Sequence, residues 1–193
     1  MTWNTFHHRG AILQTVVETA DRRRDGLLPM QLPGVTETFR DELDLLAALQ
    51  LKWHARLSGN IERALMSQPL DLEDAIASAW RRTSDQLPGV RKILDRYAET
   101  PSSSAMAAAL ARANEKEWIR LAAAAGLASD ESAAAARAGR QVELRARSEA
   151  ADAAFQRSAE ELLATATTDV ATPILDEDVT PSLVERIKAV LAA

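Results

Sequence analysis

The chain has 193 residues, of which 47% are apolar, 26% charged and only 4% aromatic, and its formal net charge is −5. It contains no cysteine, which excludes disulfides, thiolate catalysis, iron–sulfur clusters and cysteine zinc sites. The acidic balance argues against nucleic-acid binding as the main role, because such binding draws on clustered cations. The apolar fraction is that of an ordinary globular protein, with room for one sizeable domain or two small ones.

No stretch of the sequence predicts secretion or membrane insertion. The N-terminus lacks a basic segment followed by an apolar run. The longest run rich in alanine and leucine, residues 121–128, is far shorter than a membrane span. We therefore expect a soluble cytoplasmic protein. The abundance of alanine and arginine, with little lysine, is typical of a bacterial genome of high GC content.

The first predicted helix covers residues 2–24. Its apolar residues recur every three or four positions, and three arginines at its end suit the negative pole of the helix dipole. Asp25 and Gly26 then indicate a stop, and Pro29 and Pro33 keep the following connection non-helical.

A long stretch without proline, residues 35–65, dominates the first half of the chain. Thr36 is a suitable N-cap, and Arg63 lies near the other end, where a cation is favoured. A helix of about 30 residues spans roughly 45 Å. We predict one long central helix near residues 36–66 on which the other helices pack, with an apolar face made by Phe39, Leu43, Leu46, Trp53, Leu57, Ile61 and Ala64.

Two shorter helices are predicted next. Asp71 is the N-cap of a third helix, Pro88 and Gly89 break it, and a fourth helix ends at Thr100. The chain's tryptophans fall on the apolar faces of different helices, which favours a common aromatic core over a stacking pocket for a flat ligand. They are Trp3, Trp53, Trp80 and Trp118.

Alanine dominates residues 101–168, for which we predict a fifth and a sixth helix. Gly139 is a weak point of the sixth helix, costing up to ~1 kcal/mol against alanine. Alanine buries little area, so we expect this region to need packing on the first half or on another chain. The predicted stripe of the sixth helix consists of Leu144, Ala151, Phe155, Ala159, Leu162 and Ala166.

Neither an internal repeat nor a strand-like alternation is present, so the sequence predicts an all-α helical bundle of about six or seven helices. We divide it into residues 1–100 with the central helix, residues 101–168 packed on them, and an acidic tether at residues 169–193. The tether ends in a short amphipathic helix that docks on its own bundle or in the groove of a partner protein. The residues of its apolar face are Leu183, Val184, Ile187 and Leu191.

One polar row on the central helix is the best candidate for a site. Gln50, His54 and Ser58 interrupt an apolar line at steps of four. Such groups form a small ligand pocket, a structural network, or the wet edge of the buried face. Glu62, one turn further, and Asn114 of the fifth helix are the predicted companions.

A metal site has less support, and we predict neither a metal nor a cofactor. His7 and His8 are adjacent on a helix and point about 100° apart, so they cannot easily share an ion. A site that joins His7, His54 and Glu18 would need a particular helix pairing. No phosphate-binding loop, dinucleotide fingerprint, zinc-protease motif or nucleophile elbow is present.

The sequence therefore leaves two hypotheses of function. The first is a helical interaction or scaffold protein without catalysis, which self-associates or belongs to a larger assembly. The second is a helical-bundle enzyme or binding protein with a pocket for a small ligand or metal around His54. Neither hypothesis involves nucleic acid or membrane insertion.

Overall fold

The computed structural model describes the backbone of residues 3–169 and the side chains of residues 7–164. It divides the chain into two compact units, residues 1–151 and residues 152–193. Over the described backbone all regular structure is helical, without a strand, which confirms the predicted all-α bundle. The helices are α1 (Trp3–Arg23), α2 (Val35–Thr38), α3 (Glu42–Met66), α4 (Leu72–Gln86), α5 (Pro88–Glu99), α6 (Ser104–Ala124) and α7 (Ala133–Asp169).

The predicted central helix is present but begins later than expected. The chain leaves the helical conformation at Phe39, whose backbone is extended (φ −114°, ψ 127°) and whose side chain is buried. Asp41, not Thr36, is the N-cap of the long helix, because its carboxylate accepts the Asp44 amide N–H at 2.8 Å. The stretch predicted as one helix is therefore a single turn, α2, a non-helical break at residues 39–41 and a helix of 25 residues, α3.

Arg9 of α1 holds this break in place. Its guanidinium donates to the carbonyl oxygen of Thr38 at 2.9 Å and to the Asp44 carboxylate at 2.9 Å, and it lies 4.3 Å above the Phe39 ring. The Thr38 carbonyl, left without a helical partner, thus has a charged donor. These contacts stabilise the turn between α2 and α3, and the turn directs Phe39 into the core.

Helix α3 is the centre of the first unit. It packs on α1, α4, α5 and α6, and one of its faces is fully buried. Helices α1 and α5 approach each other closely at Gly89. A Cβ at this position would lie 2.1 Å from the backbone of Ala20, so only glycine allows the contact. The fully buried side chains of α3 are Leu45, Leu46, Leu49, Trp53 and Leu57.

Helices α6 and α7 approach each other at Gly139. A Cβ there would stand 1.7 Å from the carbonyl oxygen of Trp118, so the residue predicted as a weak point is required by the packing. The buried face of α7 also differs from the predicted stripe, since Leu144 is 45% exposed. Small residues form that face instead, and they are Ala135, Ala136, Gly139, Val142 and Ala146.

Of the second unit, the structure describes only residues 152–169, which belong to α7. The predicted C-terminal helix, with its apolar face of Leu183, Val184, Ile187 and Leu191, lies outside the described residues. Among the described helices, none combines the length and the apolar character that crossing a membrane requires.

Candidate functional site

A buried carboxylate is the central feature of the first unit. Glu117 of α6 is only 3% exposed, and it lies where α3, α4 and α5 meet that helix. Its position follows from the sequence, because it lies seven residues after Leu110 and four before Leu121, both of which are buried on the inner face of α6. An ionised group at such depth is tolerated only when several donors surround it.

Two indole groups supply the first donors. The Nε1–H group of Trp53 donates to Oε2 of Glu117 at 2.9 Å, and that of Trp80 donates to Oε1 at 3.2 Å. The two rings pack edge to face, with centroids 5.6 Å apart and planes at 69°. The predicted aromatic core thus exists for these two residues, and its polar edges converge on one carboxylate.

Two further groups complete the surroundings of Glu117. His54 places its Nε2 atom 3.1 Å from Oε2, and Arg91 places Nη1 3.8 Å from Oε1. The guanidinium of Arg91 also lies 4.8 Å above the Trp53 ring, so aromatic surface and charge stabilise it together.

Glu117 is held in its charged form. Burial is the largest influence on its pKa and acts to raise it, but the hydrogen bonds from His54 and Trp53 and the charge of Arg91 together outweigh burial. The net result is a pKa below the ordinary glutamate value. A carboxylate this well supplied with donors is a weak base, which suits it to fixing helices better than to moving protons.

A second cluster continues from Arg91 towards the surface. Asp95 accepts from Arg91 at 2.7 Å and from Arg147 at 2.7 Å. Arg147 in turn pairs with Glu143 at 2.7 Å and stacks 4.8 Å above the Trp80 ring. Because Arg147 belongs to α7, this cluster ties that helix to α4 and α5.

The charges of this cluster also shift each other's pKa values. For Asp95, burial acts to raise the pKa, but the hydrogen bond and charge of Arg147 and the charge of Arg91 lower it overall. For Arg147, burial acts to lower the pKa, but Asp95 and Glu143 raise it overall. Both shifts favour the charged forms of Asp95 and Arg147.

The predicted site residues separate in the structure. Gln50 and His54 do meet, with their Nε2 atoms 3.1 Å apart. Ser58 instead accepts a hydrogen bond from Arg120 at 2.6 Å, and Glu62 is exposed. Asn114 lines a different cavity, of about 310 Å³, beside Arg91, Asp95 and Arg147.

A groove between α3 and α6 opens beside Gln50 and His54. Its volume is about 360 Å³, at the lower end of the range for small-molecule sites. The groove is open to solvent and mainly apolar, rather than a closed polar cavity around the histidine. Arg112 and Lys116 of α6 stand at its rim.

The residues proposed for a metal site do not form one. His7 and Glu18 are exposed, and Glu18 accepts a hydrogen bond from Gln14 at 3.0 Å. Within the described side chains, no three histidine or carboxylate groups are close enough together to hold an ion.

The charged residues of the core were not among the residues predicted for a site; they are Arg91, Asp95, Glu117, Glu143 and Arg147. Arg91 lies between Val90 and Ile93, both buried, and Glu143 follows buried Val142. The sequence does contain a signal for these buried charges, because each charged residue shares a helix face with apolar neighbours. Opposite charges on separate helices could have been matched as partners.

Fold and site together define the class of the first unit, an all-α helical bundle with an ionised carboxylate–indole–guanidinium network in its core. Comparison of the chain with profiles of protein families, with curated proteins and with solved structures finds no match.

Proposed function

We propose that the chain is a helical interaction protein without catalysis, and that it self-associates through the second half of α7. The supporting observation is the exposure of large apolar side chains there: Phe155 is 77% and Leu162 is 72% exposed. Exposed apolar residues that share one face typically mark an interaction surface.

The spacing of this surface is that of a helix seam. Phe155, Ala159 and Leu162 follow at steps of four and three, which puts them on one side of the helix. The small side chain of Ala159 between the two large ones lets a second helix approach closely. The neighbouring charged residues Arg157 and Glu160 point away from the seam, since each lies more than 90° around the helix from it.

A second copy of the chain is the partner that this face favours. Between Phe155 and Leu162 the seam carries no charged side chain, so an identical face meets it without placing like charges opposite each other. Such pairing is isologous and closes as a dimer with twofold symmetry. The proposal keeps the cytoplasmic location that the sequence predicts.

The expected affinity is modest. Burying Phe155 and Leu162 of both copies contributes about 1.5–3 kcal/mol for each side chain, or roughly 6–12 kcal/mol in all. Association costs at least ~4 kcal/mol in lost freedom of motion. The difference of about 2–8 kcal/mol corresponds to a dissociation constant between about 1 μM and tens of millimolar, and the proposed self-association requires the part of this range below about 1 mM.

Sedimentation velocity over a wide range of protein concentration tests the proposal. We expect the unchanged chain to pass from monomer to dimer as the concentration rises, and the F155A/L162A variant to stay monomeric. R157A/E160A is the matched control, because it changes the opposite face of the same turns and leaves the net charge unaltered. A chain that is monomeric at millimolar concentration, or an F155A/L162A variant that dimerises normally, would refute the proposal.

A further inference from the structure

The groove between α3 and α6 is apolar along most of its length and polar and cationic at one end. The two helices run in the same direction, since Ser102 meets Glu42 at one level and Arg120 meets Ser58 at another. At the N-terminal level the groove is lined by Leu43, Leu46 and Ala109, which are all apolar.

The other end of the groove collects polar and cationic groups. Gln50 and His54 line it from α3, and Arg112 and Lys116 line it from α6 at the same level. No carboxylate is among the lining residues, because Glu117 lies beneath the groove with its donors. The end is therefore positively charged, while the floor is apolar.

Gln50 adds an independent sign of a ligand. It is 6% exposed, and its Oε1 atom is buried without a hydrogen-bond partner among the described residues. A buried amide group left in this state costs about 1–3 kcal/mol. Natural cores rarely keep such a group unless something else bonds to it.

The hydrogen bonds of His54 decide which amide atom of Gln50 is free. Glu117 is ionised, so the His54 Nε2 atom 3.1 Å away must carry the hydrogen that Oε2 accepts. That N–H cannot also accept from the Gln50 amide, so the amide must turn its oxygen towards His54. The NH₂ group then occupies the position without a partner, and it requires an acceptor.

We propose that this groove binds a small amphipathic carboxylate, with the apolar chain over Leu46 and Leu110 and the carboxylate at Gln50, Arg112 and Lys116. The NH₂ group of Gln50 and the two cations are all donors, so an anionic group suits this end of the groove, and the buried amide of Gln50 turns towards the groove to reach it. The apolar floor recognises the hydrocarbon part and gives the ligand its orientation.

Isothermal titration with decanoate tests the site. We expect binding of one decanoate per chain, with decan-1-ol at least tenfold weaker and acetate without measurable binding. Decan-1-ol that binds as tightly as decanoate, or decanoate that fails to bind at millimolar concentration, would overturn the proposal.

Two pairs of variants locate the binding. Ala47 is exposed in the wall of the groove, so A47W should block it, whereas A55W on the exposed face of the same helix should not. Circular dichroism confirms that both variants fold. Equal affinity of A47W and A55W for decanoate would contradict the assignment.

The second pair removes charge. R112Q/K116Q should weaken decanoate binding roughly tenfold, because two cations at the carboxylate are lost. K52Q/R56Q is the control, since it removes the same two residue types from a part of α3 outside the groove. Equal decanoate affinity of R112Q/K116Q and K52Q/R56Q would show that the cationic end of the groove does not bind the carboxylate.

Gln50→Leu separates a binding role from a structural one. The change removes the unpartnered amide, so the free protein should be at least as stable as before, while decanoate affinity should fall about tenfold. A Gln50→Leu variant that binds decanoate with unchanged affinity would show that the amide does not contact the ligand.

Discussion

Replacing Glu117 by glutamine keeps the shape of the side chain and removes its charge. The amide oxygen can occupy the position of only one carboxylate oxygen. At the Oε2 position it keeps the hydrogen bonds from Trp53 and His54, and the new NH₂ group then faces the Nε1–H group of Trp80 and the guanidinium of Arg91. Donors therefore oppose donors at a site with almost no access to water.

The size of the effect follows from these contacts. The Trp80 N–H, 3.2 Å from its acceptor, becomes a buried group without a partner, which costs about 1–3 kcal/mol. Arg91 keeps Asp95 at 2.7 Å, so its loss is smaller than the ~3–5 kcal/mol typical of a broken buried ion pair. We expect the free energy of unfolding to fall by about 2–4 kcal/mol in all.

Urea unfolding followed by tryptophan fluorescence and circular dichroism measures this change. For a domain of about this size the same loss lowers Tm by roughly 5–15 °C. Glu115→Gln is the matched control, because Glu115 is exposed on the same helix and the change should stay within about 0.5 kcal/mol. An E117Q variant as stable as E115Q would refute the view that Glu117 organises the core.

Two more predictions concern acid and glycine. The pKa of Glu117 is below its ordinary value of 4.5 in the folded state, so its contribution to stability is present above that pH and is lost as the pH falls through the lower folded pKa. The difference in unfolding free energy between the unchanged chain and E117Q should thus shrink as the pH falls below about 4.5; a difference that does not shrink down to pH 2 would contradict this. Gly139→Ala should destabilise by about 1–3 kcal/mol, because its Cβ would stand 1.7 Å from a carbonyl oxygen of α6. Gly59→Ala, with nothing within 4 Å, should stabilise by about 0.5–1 kcal/mol, and equal shifts in Tm for the two variants would show that α7 does not approach α6 so closely.

The sequence predicts the helices well because their signals are local. Asp71 was identified as a cap from its own position, and the structure has its carboxylate accept the Asp74 amide N–H at 2.9 Å. The predicted start of the central helix is wrong because Thr36 and Asp41 are both suitable N-caps, and the sequence alone does not decide between them. The contact of Arg9 with Phe39 and Thr38, which decides between them, comes from a distant helix.

The site was predictable only in part, for the same reason. Gln50 and His54 lie four residues apart on one helix, so periodicity alone brings them together. Glu117 is 63 residues from His54, and although its spacing from Leu110 and Leu121 puts it on the inner face of α6, no local pattern identifies His54 as its partner. Gly139 was read by helix propensity, whereas the close approach to Trp118 depends on tertiary packing.

The network explains how an alanine-rich helix finds one position on the core. The buried face of α6 has only Met106, Leu110 and Leu121 as large apolar side chains, so packing area contributes little to the choice between registers of α6 one turn apart. A shift would move Glu117 away from the indole groups of Trp53 and Trp80 and from Arg91, each donor left unpaired costing about 1–3 kcal/mol. We expect the Glu117→Leu variant to keep its helix content but to populate more than one register of α6. The indole N–H signals in two-dimensional NMR spectra should then be broadened or duplicated. One sharp set of indole signals at the shifts of the unchanged chain would mean that apolar packing alone fixes the register.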